Sequence, residues 1–164
     1  MLLRPVNMLP SCGYQDVSVD VVGSSSLLLE YAIRLGNVAG EYTSDGSIAS
    51  LSYRDGSGGC NLVLSASPTG ASFVAQQFRP PEVSEQIPLT IWPQPGVWTT
   101  MKITITADAT SGGSRLVTSV GGKAAVDRVL PFCKLGTATV RVGTYCEAYR
   151  DREVRIDDLV IDAN

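Results

Sequence analysis

Two carboxylates stand side by side near the C-terminus, Asp157 and Asp158 in "VRIDDLVID". Adjacent carboxylates can share a proton or ligate a hard cation. A second acidic pair, Glu82 and Glu85, lies in "RPPEVSEQIP", whose prolines and charges read as a loop. A retaining glycosidase needs two carboxyl groups ~5–5.5 Å apart, and a loop of this kind holds such a geometry poorly. Histidine is absent from all 164 residues. Its absence removes the commonest general base, the commonest transition-metal ligand and the usual Ser or Cys triads.

The four cysteines are Cys12, Cys60, Cys133 and Cys146. They permit two disulfides in any of three pairings, or buried free thiols. None stands in a CxxC spacing, which argues against zinc. Cys133 and Cys146 bracket an apparent strand and would lie ~25 Å apart at its ends. That pair needs the Cys133 loop to fold back, because a disulfide requires Cα atoms within ~7 Å. The run "YRDREVR" carries Arg150, Arg152 and Arg155, a possible site for an acidic glycan or lipid. The blander reading is a solvated hairpin end in which Asp151 and Glu153 partner the arginines. Aromatic residues able to stack on a sugar are Trp92 in the proline-rich loop, and Tyr145 and Tyr149 flanking "CEAYRDR".

The elements that must position these residues are strands. "DVSVDVV" alternates Val17, Val19 and Val21 with Ser18 and Asp20. In "LLLEYAIRL", Leu27, Leu29, Tyr31, Ile33 and Leu35 share one face at period two. "WTTMKITIT" alternates Met101, Ile103 and Ile105 with Lys102, Thr104 and Thr106. "RLVTSVGGKAAVDRVL" reads as a hairpin, with Gly121 and Gly122 supplying the positive φ angles of a tight turn. Nine to eleven such strands, with no convincing helix, predict an antiparallel sandwich or barrel.

Bulk properties agree with a globular chain. Apolar residues make up 44% and charged residues 18%, far from the composition of disorder. The net charge of -3, with scattered Lys and Arg, argues against a nucleic-acid partner. No run approaches the ~18 apolar residues of a spanning helix. The start, "MLLRPVNMLPSCG", is interrupted by Arg4, Pro5 and Asn7 and does not read as a signal peptide.

The order of motifs from Val97 to Asp162 resembles the concanavalin A-like lectin/glucanase superfamily, in particular its laminin G-like jelly rolls. The resemblance rests on a Trp-led strand (Trp98), the Gly-Gly hairpin, "VRVG" ending in Gly143, and the closing "IDDLVID". It implies an all-β antiparallel sandwich over residues 17–164. Residues 1–16 are then poorly structured or a partial N-terminal strand, so that the full N-terminal strand could be lacking. Laminarinase-type members carry Glu-x-Asp-x-x-Glu. None of Glu30, Glu41, Glu82, Glu85, Glu147 and Glu153 has an aspartate two residues on. The sequence therefore reads as not an enzyme but a recognition module, carbohydrate-binding in type, in an extracellular bacterial setting. A glycan hydrolase or lyase relative with unrecognised carboxylates, and a structural domain without ligand, are the alternatives.

The resemblance implies a glycan or another surface protein as partner and an extracellular or cell-surface location. It implies no obligate cofactor and no metal residue, although a loose calcium site could recruit Asp45, Asp55, Asp108 or Asp151. Trp92, Tyr145 and Tyr149 are the candidate ligand contacts. Trp98, Gly121, Gly122, Gly143 and Asp157 are expected to be structural, with Trp98 in the core. The acidic pair in "VRIDDLVID" then reads as a fold device: Asp157 turned inward to accept backbone hydrogen bonds, and Asp158 outward or at a bulge.

Overall fold

Leu27, Leu29, Tyr31 and Ile33 are all buried, while Leu28, Glu30, Ala32 and Arg34 between them are only partly covered. This period-two division, repeated along the chain, is what builds two packed layers. The computed structural model describes residues 2–3, 14–35, 46–53, 60–67, 70–77, 79–94, 96–145 and 154–164. Its strands are β1 (Leu2–Leu3), β2 (Tyr14–Val21), β3 (Ser26–Leu35), β4 (Gly46–Tyr53), β5 (Cys60–Ser67) and β6 (Gly70–Gln77), then β7 (Val83–Pro88), β8 (Thr99–Asp108), β9 (Gly113–Val120), β10 (Lys123–Leu130), β11 (Ala138–Tyr145) and β12 (Val154–Ala163).

They form two six-stranded sheets, ordered β1-β12-β3-β8-β9-β10 and β2-β11-β4-β5-β6-β7. Every pairing is antiparallel. This is the all-β antiparallel sandwich that the alternation predicts, with the jelly-roll form that the resemblance implies. The core fills with Leu27, Tyr31, Met101, Ile103 and Leu116 from the first sheet, and Leu62, Phe73, Val140 and Val142 from the second. Inside it, the hydroxyls of Tyr31 and Thr118 have no hydrogen-bond partner among the described residues. Burial pushes the Tyr31 phenol well above the ordinary tyrosine range.

Several links join the sheets. Cys60, at the start of β5, forms a disulfide with Cys133, just past β10, with Cα atoms 5.0 Å apart. One of the three possible pairing schemes contains this bond; Cys12 and Cys146 lie outside the described residues. Along one open side, Arg128 of β10 pairs with Glu85 of β7 at 2.6 Å. The Thr90 hydroxyl also donates to the Ala125 carbonyl at 3.1 Å.

Glu85 therefore belongs to a strand, where the sequence suggested a loop through residues 79–88. β7 is the outermost strand of its sheet, and proline is tolerated on an edge strand because no ladder bond is lost on the open side. Pro88 takes the last position of this edge.

The β9–β10 hairpin turns at Gly121 and Gly122, with φ of +56° and +76°. Such angles cost a residue with a side chain. Gly113 is required for a different reason: a Cβ there would collide with the backbone of Leu130 and Pro131.

Candidate functional site

The outer face of the second sheet gathers polar side chains of one kind. Because Ala138, Val140 and Val142 of β11 are buried, Thr139 and Arg141 between them face outward, and both are half-buried. The ladder extends these positions across the sheet. Thr139 lies in register with Asp20 of β2 and Ser52 of β4, and the row continues through Asn61, Gln76 and Ser84. Arg141 lies in register with Ser18 and Ser50, and its row continues through Val63, Val74 and Gln86. At one edge the Thr139 hydroxyl donates to Asp20 at 2.7 Å. At the other, the Gln86 amide donates to the Ser72 hydroxyl at 3.1 Å.

Among the described side chains of these two rows, Arg141 is the one cation and Asp20, at the margin, the one carboxylate. The rest are amides, hydroxyls and two valines. Amides and hydroxyls both donate and accept, which suits a hydroxyl-rich ligand. A guanidinium among them offers a planar fork for a carboxylate. Among the described side chains no carboxylate pair of the hydrolase kind converges on the two rows. What the arrangement can do chemically is engage hydroxyls and a carboxylate of one ligand together.

Of the expected ligand contacts, Tyr145 closes β11 in register with Tyr14 and Ser47, four residues beyond Arg141. Gly143 lies between them in register with Asp16. Tyr149 lies outside the described residues. Trp92 packs half-buried against the core, away from these rows.

Trp98 is not a core residue: it is 46% exposed. Parity explains the correction. Met101, Ile103 and Ile105 face inward, so Trp98 falls with Thr100 and Lys102 on the outward side.

The aspartate pair is also revised. Ile156 is buried and Asp157 is exposed, so Asp157 does not turn inward. Its Oδ1 accepts a hydrogen bond from the adjacent Asp158 N–H at 3.0 Å. Asp158 has φ +52° and sits in a bulge, where β12 places two residues between the Asp157–Ala32 and Val160–Glu30 pairs and β3 places only Tyr31. The extra residue resets the alternation, so that Leu159 and Ile161 return to the core.

Of the calcium candidates, Asp108 accepts a hydrogen bond from the Ser111 N–H at 2.9 Å, and its bonds to Ser111 hold its carboxyl below the usual range. This is the self-capping habit of a turn aspartate. Asp45, Asp55 and Asp151 lie outside the described residues. No group of three or more His, Cys, Asp or Glu is placed to hold a metal ion among the described residues.

Sequence reasoning missed Arg141, Asn61, Gln76 and Gln86. A signal was present in "TVRVG": an arginine between two valines that period two buries. Its importance shows only when the neighbouring strands are in register.

No family model matches the chain, and no curated protein matches it. Solved structures do. The endo-β-1,4-glucuronan lyase from the fungus Trichoderma reesei superposes with a TM-score of 0.67 at 14% identity, over 93% of this chain and 76% of that one. An alginate lyase from Chlorella virus gives 0.59 at 10% identity, over 90% and 76%. The botulinum neurotoxin serotype G binding domain gives 0.60 at 12% identity, over 90% of this chain and 35% of that one. At these identities the likeness shows the fold alone, a jelly roll.

It nevertheless corrects the reading of the chain as not an enzyme. That reading tested for histidine and for paired hydrolase carboxylates. A lyase breaks a C–O bond without adding water, so the hydrolase pair is the wrong criterion for the class of protein this fold is similar to.

Proposed function

We propose that this chain acts on an acidic polysaccharide laid across the outer face of the second sheet, cleaving it by β-elimination. The observation that carries this is Arg141, half-buried between rows of amides and hydroxyls, on a fold similar to that of glucuronan and alginate lyases. In this reading the Arg141 fork binds a uronate carboxylate and withdraws charge from it. The carbon next to that carboxylate then loses its proton to Tyr145, four residues beyond Arg141 at the end of the same strand. The C–H pair becomes the new double bond, the adjacent C–O bond breaks, and the proton passes to the departing sugar oxygen.

Asn61, Gln76 and Gln86 hold the hydroxyls of flanking sugars. The Cys60–Cys133 disulfide supports an oxidising location, such as outside the cell, where such polymers are met.

The test is incubation with polyglucuronate, polymannuronate and polyguluronate, following the ultraviolet absorbance of the unsaturated product. Arg141→Ala and Tyr145→Phe should each lower the initial rate by about 100-fold or more. No absorbance rise on any of the three polymers, or full activity in either variant, would overturn the proposal.

A further inference from the structure

The outer face of the second sheet differs on the two sides of Arg141. β2 lies on one side, a single strand away and at the margin of the sheet, whereas β4, β5, β6 and β7 lie on the other. On the β2 side stands Asp20, exposed and in register with Thr139. The Thr139 hydroxyl donates to Asp20 Oδ1 at 2.7 Å. That bond holds the carboxylate toward β11, with Oδ2 turned to accept from a sugar hydroxyl. A strand spacing of ~4.8 Å and an offset of two residues put the Cα atoms of Asp20 and Arg141 about 8 Å apart. This matches the ~8 Å screening length of physiological salt. The carboxylate therefore acts on the sugar that lies next to the one at Arg141.

On the far side, the row of Arg141 passes through Ser50 to Val63 and Val74, which oppose each other directly and are both half-buried. Two valines side by side accept the C–H face of a sugar ring. A carboxylate laid on them loses water and gains no partner from them. In the adjoining row Asn61 and Gln76 also oppose each other, half-buried, and offer donors and acceptors to hydroxyls. The face matches a chain that carries a carboxylate at one position and hydroxyls at the positions beside it.

We propose that the substrate is a mixed polymer, in which the uronate bound at Arg141 is flanked by neutral sugars, and that Asp20, anchored by Thr139, enforces this choice on the β2 side. The proposal rests on the reading of Arg141 as the partner of a uronate carboxylate, and it names the polymer that this site prefers. A neutral sugar donates its hydroxyls to Asp20 in charge-assisted bonds. A homopolymer of uronates sets a second carboxylate against Asp20, and like charges there oppose binding. Such a homopolymer is the slower substrate.

The experiment uses the full chain and two probes of identical linkage. One is sodium polyglucuronate; the other is the same polymer partly carboxyl-reduced, so that glucuronate and glucose are mixed along it. Calorimetric titration gives the affinity per uronate, and ultraviolet absorbance gives the rate of elimination. The parent chain should bind the mixed polymer about three- to tenfold more tightly, and the advantage should shrink as salt rises. Asp20→Asn keeps an oxygen for the Thr139 hydroxyl and removes the charge, so it should bind polyglucuronate more tightly and lose most of the advantage. Thr139→Val, which unties the carboxylate, should give an intermediate advantage. Asp162→Asn, which removes one charge from the other sheet, should keep the parent's preference.

Equal affinity of the parent for the two polymers overturns the proposal. So does a parent-like preference in Asp20→Asn, or an equal loss of preference in Asp162→Asn. Elimination with equal affinities refutes the mixed polymer and leaves the elimination reading standing. A preference that Asp20→Asn removes, with no absorbance rise on either polymer, refutes elimination and leaves the selection by Asp20 standing. Absence of binding to both polymers overturns both.

Discussion

Replacing Cys60 and Cys133 by alanine together probes how the two sheets are tied. The disulfide spans a sequence separation of 73 residues, and closing a loop of that length removes unfolded-state entropy equivalent to about 4 kcal/mol. For a chain of this size that corresponds to about 12 °C in Tm. Both cysteines are buried, so each substitution also carries a smaller packing cost.

The two costs separate in a double-mutant cycle. Either single substitution already opens the loop and should show nearly the whole loss. The second then adds only packing, so the double variant is far less destabilised than the sum of the singles. Urea unfolding under oxidising conditions, followed by circular dichroism, measures all four corners. The unfolded state of the variants should expose more surface and raise the m-value. Strict additivity of the single substitutions, or a loss below about 1 kcal/mol in the double variant, would refute the cross-link's role.

Other substitutions test the core and the bulge. Tyr31→Phe should stabilise the fold by about 1 kcal/mol or more, because it deletes a fully buried hydroxyl with no partner among the described residues; a loss of Tm would show that the hydroxyl is satisfied. The same variant has a pH signature. The unfolded phenol titrates near its ordinary value of 10.0 while burial holds the folded one protonated above that. Stability conferred by the neutral phenol is therefore full below pH 10 and falls as pH rises beyond it, a decline that Tyr31→Phe should lessen in alkaline melts. At the bulge, Asp158 holds φ +52°. Asp158→Gly should be neutral or stabilising, and Asp158→Val should cost about 1–2 kcal/mol; equal midpoints for the two would mean the bulge relaxes.

Period two was legible in the sequence because burial alone dictates it. "LLLEYAIRL", "WTTMKITIT" and the Gly121–Gly122 hairpin carry their faces and turn in their residue types, and an antiparallel sandwich or barrel follows from that repetition. "IDDLVID" announced a break in the alternation, since Ile156 and Leu159 have opposite parity and cannot both face one core without an extra residue. Asp158 was expected outward or at a bulge and sits in one; that Asp157 stays exposed was not legible, because it depends on how β12 lies against Tyr31 of β3.

Tertiary structure alone decided the rest. Trp98 looks like a core residue by type, yet it lies outside because register with β3 puts its parity on the solvent side. The 79–88 stretch reads as a loop from its prolines, yet an edge position makes a strand of it and brings Glu85 to Arg128. Cys60 and Cys133 meet because two sheets fold over each other. Arg141, Asn61, Gln76 and Gln86 come from strands far apart in the chain. A single strand reveals which of its side chains face outward. Only the hydrogen-bonded ladder decides which outward side chains stand together, and a binding surface is that set.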